Sequence, residues 1–389
     1  MISLAIPLYK PNTLTSSEFL RENSVIPDMK VIEFPEKKKN LIFIGLEAFE
    51  TMYFSKEHGG VFDVPLAPNL ERIAFQNNSI FFSNLDGDKV GGVNVIPRTR
   101  FTTAAYFAMQ CGYAFLSDPT PTGNVYSEQY FPKFKCIGDI LKEARYNITV
   151  SYGTHPHDFG IGDLFNSHSL IQVWWRNDID PNKKGIYVFD RKTIPFFKNV
   201  LTEMGQSKTP FFASVITTDT HEPGFVCPDC PPGESDLFST VKCSDKRIAD
   251  LLEWCKKQSW YNNTVIVLFG DHIVRGNGNP EIAEKHRFSR RPFNLIINSG
   301  LENKNNRKRE FTSMDVYPTV ISAIGAKLKT EQLGMGVNLF SGEQTLVEKF
   351  GLEKFIKECE GTRIFYNHVL LRKEDDIRVL GFLNGTVHA

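Results

Sequence analysis

The sequence predicts an α/β protein in which a largely parallel sheet lies between two helical layers, a three-layer α/β/α sandwich. Five short apolar runs, of the kind that forms strands buried on both faces, occupy residues 41–46, 148–152, 211–216, 265–269 and 293–297. Helical patterns lie between them, at residues 137–144, 190–204 and 244–258. Because strands and helices alternate along the chain, a parallel sheet with helices on both faces is expected.

The composition is that of an ordinary globular protein. The chain has 389 residues, of which 41% are hydrophobic and 23% charged, which suits one large α/β domain or two smaller ones. Its 45 basic and 45 acidic residues cancel, so the chain lacks the basic excess that nucleic-acid binding requires. We therefore expect no nucleic-acid partner.

The sequence contains no signal peptide and no transmembrane segment by the usual criteria. Its longest uncharged stretch, between Arg100 and Asp118, falls short of the roughly 20 apolar residues that a spanning helix needs. Residues 1–9 are mildly apolar but have neither a charged leader nor a long apolar core. The expectation is a soluble protein or a portion separated from a membrane anchor.

Seven cysteines occur in the chain, so at least one thiol is left unpaired. Cys227 and Cys230 form a Cys-x-x-Cys pair, but the sequence has no second pair, which disfavours a four-cysteine zinc site. In an oxidising compartment, the expected role of the two residues is a small disulfide that closes a loop.

Polar side chains follow three of the predicted strands at their carboxyl ends. Glu47 ends the first strand, the segment 217–221 ends another, and Asp271 and His272 follow a third after one glycine. A single polar residue at such a place is more often a helix cap, but ligands of open α/β sheets bind at this edge. Two carboxylates and an imidazole suit Zn²⁺ or Mn²⁺, so the sequence predicts a metal site.

A hydroxyl group next to this site could act as a nucleophile. Thr102 and Thr103 precede a helix of small residues, and a helix N-terminus attracts anions through its unpaired N–H groups. A hydroxyl bound to a dication can ionise and attack phosphorus. The residues alone do not decide between the two threonines, either of which could instead be a helix cap.

Several motifs, in consistent order over residues 40–345, resemble the bacterial phosphoglycerol transferases and lipoteichoic acid synthases of the alkaline phosphatase superfamily. The segment 101–112, with its Gln-Cys-Gly end, is similar to the nucleophile helix of the phosphoglycerol transferases that decorate periplasmic glucans. The other matching segments are residues 40–54, 68–70, 218–223, 241–245, 270–272, 315–319 and 333–340. The resemblance implies an alkaline phosphatase-like catalytic domain of the sulfatase family at 40–345. The mixed composition of residues 1–39 predicts a lead-in segment, and the charged, helical pattern of residues 346–389 predicts a peripheral extension.

The resemblance also implies roles for individual residues. Thr102 would be the nucleophile, and His221 would contact the substrate phosphate and protonate the leaving group. This chain departs from the family where a basic side chain should clamp the phosphate, and Lys285, Arg290 and Arg291 are further basic candidates there. The implied metal ligands are Glu47, Thr102, Asp271 and His272, and the implied substrate-binding residues are His221, His155, His157 and Arg100.

The activity implied by the resemblance is a metal-dependent transfer of phosphoglycerol. A phospholipid-type donor would pass its headgroup to Thr102 and then to a glycan hydroxyl, with Mn²⁺ or Zn²⁺ as cofactor, outside the cytoplasmic membrane and at its surface. Phosphoethanolamine transfer is the alternative, and a phosphodiesterase or sulfatase-like hydrolase is a further one. Against a sulfatase, no Cys-x-Pro-x-Arg or Ser-x-Pro-x-Arg sequence surrounds Thr102.

Overall fold

A seven-stranded sheet forms the centre of the computed structural model. The structure describes residues 19–115, 134–170, 172–183, 185–275, 281–286, 288–302 and 305–361. The described residues do not include 1–18 of the predicted lead-in segment or 362–389 of the predicted C-terminal extension. The prediction about a signal peptide concerns residues 1–9 and also lies outside them. The boundaries of the three predicted segments therefore stay predictions.

Seven strands make up the central sheet, and two short antiparallel pairs lie outside it. The central strands are β1 (Asn40–Leu46), β2 (Ser79–Ile80), β3 (Asn147–Tyr152), β4 (Val173–Trp174), β5 (Phe211–Ile216), β6 (Thr264–Gly270) and β7 (Asn294–Ile297). The short pairs join Ile32–Glu33 to Lys327–Leu328, and Gln332–Leu333 to Gly336–Val337.

The strand order is β2-β7-β6-β1-β5-β3-β4, with β1 in the middle. The five strands from β6 to β4 run parallel, whereas β7 pairs antiparallel with both β6 and β2. The predicted largely parallel sheet is therefore confirmed, and all five predicted strands are present.

The helices cover both faces of the sheet. They are α1 (Phe19–Glu22), α2 (Pro68–Ala74), α3 (Thr102–Cys111), α4 (Ile137–Glu143), α5 (Ile161–Ser167), α6 (Arg176–Ile179), α7 (Asp190–Met204), α8 (Asp236–Cys255), α9 (Glu281–Lys285), α10 (Val316–Ala323), α11 (Leu346–Phe350) and α12 (Leu352–Gly361). Short 3₁₀ turns occupy Thr51–Tyr53, Asp158–Gly160, Tyr261–Asn263 and Ser313–Asp315.

Strand β1 shows why the sheet needs cover on both faces. Its side chains alternate between two hydrophobic cores: Leu41 and Phe43 belong to one, and Ile42 and Ile44 to the other. The first core contains residues of α3, α4, α5 and α10, and the second contains residues of α2, α7 and α8. Burying each such side chain contributes about 1.5–3 kcal/mol, so β1 fixes the three-layer arrangement.

Helix α8 is longer at its start than the sequence predicts. It begins at Asp236, not at residue 244, because the Ser235 hydroxyl caps it by accepting a hydrogen bond from Phe238 N at 3.2 Å. The helix ends at Cys255. The apolar spacing after residue 244 identified the buried face but not the polar first turns.

The disulfides differ from the expected Cys227–Cys230 pair. Cys230 is bonded to Cys243 on α8, and Cys227 is a buried free thiol. A tight turn, in which Cys230 N donates to Cys227 O at 3.0 Å, leaves Cys230 facing the helix. A second disulfide, Cys111–Cys136, ties the end of α3 to the start of α4.

The described part of the C-terminal extension packs against the first hydrophobic core. Leu346, Val347, Phe355 and Cys359 are buried there. Within the ranges that the structure describes, no helix is long and apolar enough to cross a membrane.

Candidate active site

The carboxyl ends of three neighbouring strands form the floor of the candidate site. β1 lies between β5 and β6 in the sheet. The register pairs Gly45 with Ile216 of β5, and Leu46 with Gly270 of β6. Whatever follows these strands is therefore brought to one edge, and Glu47 is the first such residue on β1.

Hydrogen bonds lock the three strand ends to one another. Glu47 N donates to Thr217 Oγ1 at 3.0 Å, and Thr220 Oγ1 donates to Glu47 O at 2.5 Å. From the other side, Ala48 N donates to Asp271 Oδ1 at 2.8 Å. The side chains at the site thus rest on a fixed backbone.

A glycine in β1 lets helix α3 approach the strand ends. A Cβ atom on Gly45 would lie 1.3 Å from the hydroxyl oxygen of Tyr106, which is fully buried on α3. Only glycine leaves room for the tyrosine at this crossing. Since Tyr106 is one helical turn after Thr102, this contact sets the height of Thr102 above the sheet edge.

Four side chains meet at this edge, and we call Glu47, Thr102, Asp271 and His272 the strand-end cluster. Thr102 Oγ1 donates to Glu47 Oε2 at 3.1 Å and lies 3.5 Å from His272 Nε2. His272 Nε2 is 3.3 Å from Glu47 Oε1 and 3.5 Å from Asp271 Oδ2. All four residues are at most 7% exposed.

The donor atoms of the strand-end cluster fit a bound cation. His272 Nδ1 lies 3.0 Å from Ile273 O, and because a carbonyl only accepts, Nδ1 carries a proton. In the neutral imidazole the lone pair of Nε2 then faces two carboxylates. Glu47 Oε1 and Asp271 Oδ2 are buried without a hydrogen-bond partner in the described structure. Three buried acceptor atoms within 4.8 Å of one another suit a divalent ion.

The protonation of the strand-end cluster shows the same excess of negative charge. Burial raises the pKa of Glu47, but the charge and hydrogen bond of His272 outweigh it, so the net pKa is lowered. Burial and the Glu47 charge raise the pKa of Asp271 to about 7. Burial lowers the pKa of His272, but the two carboxylates raise it to about 9.

His221 lies on the turn after β5, and a hydrogen bond determines which of its ring nitrogens carries a proton. Its Nδ1 is 2.9 Å from Glu222 O and therefore carries a proton, so Nε2 is a base when the ring is neutral and an acid when it is charged. The ring packs against Tyr187 and Phe225, with centroid distances of 5.6 and 5.9 Å. The His221 charge also lowers the pKa of Glu47, so the ring lies near the strand-end cluster.

A reciprocal pair of aspartates holds the His221 turn. Thr218 N and Asp219 N donate to the Asp190 carboxylate at 2.9 and 3.1 Å, and Asp190 N donates back to Asp219 Oδ1 at 3.0 Å. Arg247 on α8 donates to Asp219 Oδ2 at 2.9 Å. The turn is thereby fastened to α7 and α8 at once.

Comparison with protein families agrees with this geometry. The family model described as Sulfatase matches residues 39–326, well over half of the chain. The chain belongs to the sulfatase family. Its fold is that of the alkaline phosphatase superfamily: a member of that superfamily from Vibrio parahaemolyticus superposes with a TM-score of 0.62 at 17% identity, over 91% of this chain and 95% of that one. The predicted family and fold are confirmed.

Two further comparisons concern transferases and synthases. Phosphoglycerol transferase I of Escherichia coli O6:K15:H31 is 26% identical over 323 residues, which cover 79% of this chain and 40% of the relative. This sulfatase-family chain thus spans well under half the length of that relative. The structure of the lipoteichoic acid synthase LtaP from Listeria monocytogenes superposes with a TM-score of 0.60 at 16% identity, over 83% of this chain and 80% of that one.

The other predicted substrate-binding residues of this sulfatase-family chain lie outside the strand-end cluster. Arg100 is exposed just before α3, His155 is half-buried, and His157 is exposed. His157 N donates to His155 Nδ1 at 3.3 Å, and Asp158 accepts from His155 N at 2.9 Å. No hydrogen bond or ion pair within the described ranges joins these residues to the cluster, so their roles stay predictions.

Arg290, one of the basic candidates for a phosphate clamp in this chain, is buried in an ion pair with Glu50. It is 3% exposed and donates through Nε to Glu50 Oε2 at 2.6 Å, with a second bond from Nη2 to Glu50 Oε1. Arg290 Nη2 also donates to Val274 O at 2.9 Å, and Val274 N donates to Glu50 Oε1 at 2.7 Å. This pair holds the loop that carries Asp271 and His272. A sequence offers no signal for it, because 240 residues separate the partners.

Arg275 is a cation near the site that sequence reasoning missed. It follows His272 by three residues, is 39% exposed, and its Nε lies 3.3 Å from Glu222 Oε1, next to His221. Its positive charge opposes protonation of His272. The signal was its position three residues after the Gly-Asp-His segment.

Proposed function

We propose that this chain transfers a phosphoglycerol group from a phospholipid-type donor to a glycan hydroxyl through a Thr102-linked intermediate. The observation that carries the proposal is the Thr102 hydroxyl, which points between Glu47 and His272 at the start of a helix. A hydroxyl beside a cation site and a helix N-terminus is suited to attack a phosphodiester.

Two of the compared proteins support the class of reaction. The Escherichia coli relative is named phosphoglycerol transferase I, and the LtaP structure is that of a lipoteichoic acid synthase. A threonine stands where a sulfatase would need cysteine or serine, which favours transfer of phosphorus over hydrolysis of a sulfate ester. The donor, the acceptor and a cell-envelope location remain parts of the proposal.

The first half-reaction uses the bond between Thr102 and Glu47. As Thr102 Oγ1 forms a bond to phosphorus, the bond from phosphorus to the diacylglycerol oxygen breaks, and the hydroxyl proton moves along the 3.1 Å hydrogen bond toward Glu47 Oε2. The departing oxygen takes a proton from His221 or from water. The product is a phosphothreonine diester that still carries the glycerol.

The second half-reaction reverses these roles with a new alcohol. His221 Nε2, which is a base in the neutral ring, accepts the proton of the glycan hydroxyl as that oxygen attacks phosphorus. The Thr102 oxygen leaves and regains its proton. The N-terminal amides of α3 and the Arg275 guanidinium offset charge on the phosphoryl oxygens.

The residues of the strand-end cluster would hold the divalent ion, Mn²⁺ or Zn²⁺. When bound, such an ion lowers the pKa of the nucleophilic hydroxyl and stabilises charge that develops on the phosphoryl group. The orphaned Glu47 Oε1 and Asp271 Oδ2 atoms, together with His272 Nε2, supply the ligands.

The deciding experiment is the intact mass of the protein after incubation with Mn²⁺ or Zn²⁺ and vesicles of phosphatidylglycerol and phosphatidylethanolamine. We expect a glycerophosphoryl adduct that Thr102→Ala abolishes. Thr103→Ala is the matched control, since Thr103 is equally buried but donates to Phe159 O at 3.0 Å, so it should retain the adduct.

The other outcomes separate the alternatives. An ethanolamine phosphate adduct would replace phosphoglycerol by phosphoethanolamine as the transferred group. Metal-dependent cleavage of a generic phosphodiester without any adduct would indicate a hydrolase with a short-lived intermediate. Neither adduct nor cleavage, in a protein that binds no metal, would overturn the enzymatic function.

A further inference from the structure

A second group of metal-compatible side chains lies where the loop after His221 meets α8. Cys227 Sγ is 3.0 Å from Cys230 Sγ and 3.9 Å from Cys243 Sγ. All three sulfurs lie within 4.8 Å of one another, and Cys227 is 1% exposed. In this structure Cys230 and Cys243 form a disulfide, and Cys227 is a free thiol.

We propose that the reduced form of this group binds a thiophilic dication such as Zn²⁺. A phosphine or dithiol reductant supplies two electrons, and with two protons the Cys230–Cys243 disulfide becomes two thiols. The ion then binds the sulfurs of Cys227, Cys230 and Cys243, and the thiol protons are released to solvent. The disulfide and the ion are thus alternative states of one site.

The shape of the group favours a bound ion over sulfur exchange. A thiolate attacks a disulfide along the line of the S–S bond, which is about 2.05 Å long. In-line attack on Cys230 from 3.0 Å would place Cys227 Sγ about 5 Å from Cys243 Sγ, but the distance is 3.9 Å. The Cys227 sulfur is therefore not aligned for exchange, but all three sulfurs lie close enough to bind one ion after reduction.

A carboxylate stands where the fourth ligand is needed. Cys227 Sγ donates to Asp229 Oδ1 at 3.0 Å, so a proton occupies the space between a sulfur and a carboxylate oxygen. A dication can take the place of that proton. Cys227-Pro-Asp-Cys230 also has the Cys-x-x-Cys spacing of zinc sites, and its turn is closed by the bond from Cys230 N to Cys227 O.

Arg247 donates hydrogen bonds to two of the proposed metal ligands. Its Nη2 donates to Cys227 Sγ at 2.7 Å and to Asp229 Oδ2 at 2.8 Å, while Nη1 donates to Asp219 Oδ2 at 2.9 Å. Three thiolates and one carboxylate carry four negative charges, of which a dication and the guanidinium offset three. Hydrogen bonds to ligand atoms also fix their orientation.

The test is a cobalt titration of the whole chain after reduction by a phosphine without oxygen. We expect a thiolate-to-cobalt charge-transfer band in the near ultraviolet that saturates as cobalt is added and disappears on addition of Zn²⁺. The strand-end cluster has only oxygen and nitrogen ligands, so cobalt bound there gives no such band. The outcome is therefore independent of the proposed transferase activity.

Variants identify the ligands. Cys227→Ser and Cys243→Ser should each weaken the band by about one third, because each removes one of three sulfur ligands, and Asp229→Asn should weaken cobalt affinity by about 10- to 100-fold. Cys255→Ser is the matched control, because Cys255 is a buried free thiol at the end of the same helix, and it should leave the band unchanged.

Two results would overturn the inference: a folded, fully reduced chain without the band, or a band whose intensity is unchanged in Cys227→Ser. If Cys227→Ser fails to fold, X-ray absorption of the zinc-loaded natural chain decides instead. It should show sulfur at about 2.3 Å from zinc, and a shell of nitrogen and oxygen alone would refute the site.

Discussion

Replacing Arg290 by methionine should destabilise the protein strongly at neutral pH and much less at acid pH. Glu50 is fully buried, and its oxygens accept from Arg290 and from Val274 N. Without the guanidinium, the carboxylate stays in the core with one backbone donor. Leaving a buried charge unpaired in this way costs about 3–5 kcal/mol.

The size and pH dependence of the effect follow from the protonation of Glu50 once Arg290 is removed. Burial already raises the pKa of Glu50, even though the Arg290 charge acts against it. Without Arg290 the group takes up a proton, and protonating a carboxyl of ordinary pKa 4.5 costs about 3.4 kcal/mol at pH 7 but about 0.7 kcal/mol at pH 5. The free energy lost on substitution should therefore shrink by about 2–3 kcal/mol between these pH values.

Urea unfolding followed by circular dichroism, at pH 5 and pH 7, measures both quantities. Adding Glu50→Gln to Arg290→Met should recover most of the loss at pH 7, because no charge remains to be buried. Arg291→Met is the control: Arg291 donates to the carbonyls of Phe288 and Arg290, so its effect should be the same at both pH values. A loss below about 1 kcal/mol, or one that does not change with pH, would refute the reasoning.

Three further outcomes are expected. Asp271→Asn should weaken the affinity of the strand-end cluster for Mn²⁺ or Zn²⁺ by more than about 100-fold, because even residues that only hydrogen-bond to metal ligands contribute about 10- to 100-fold. Titration calorimetry measures this affinity, and an unchanged value would contradict Asp271 as a metal ligand. Gly45→Ala should destabilise by about 1–3 kcal/mol in urea, and adding Tyr106→Phe should recover part of it; no recovery would contradict the packing argument. Burial raises the pKa of Asp315 to about 6, so the contribution of this group to the free energy of unfolding should fall as pH rises from about 4 to 6, by up to about 1.4 kcal/mol per pH unit. Asp315→Asn should remove this slope, which is measured by unfolding at several pH values.

The sequence predicted the parts of the fold that depend on local patterns. Apolar runs marked the strands because a strand covered on both faces has no polar side to show. The order of those strands has no local signature, and the site depends on it: Glu47 and Asp271 meet only because β1 and β6 are neighbours in register. Glu50 and Arg290 show the same limit, since their pairing across the fold leaves no spacing to recognise.

The sequence could not distinguish Thr102 from Thr103 by residue type, but the structure places their hydroxyl groups differently. Both are hydroxyls at the start of α3, and each suits a cap or a nucleophile. Successive residues on a helix point about 100° apart, so only one of them can face the sheet edge. Thr102 donates to Glu47, whereas Thr103 donates to Phe159 O on the adjoining turn. The crossing of Gly45 and Tyr106 fixes this rotation, so packing one helical turn away decides which of the two threonines faces Glu47.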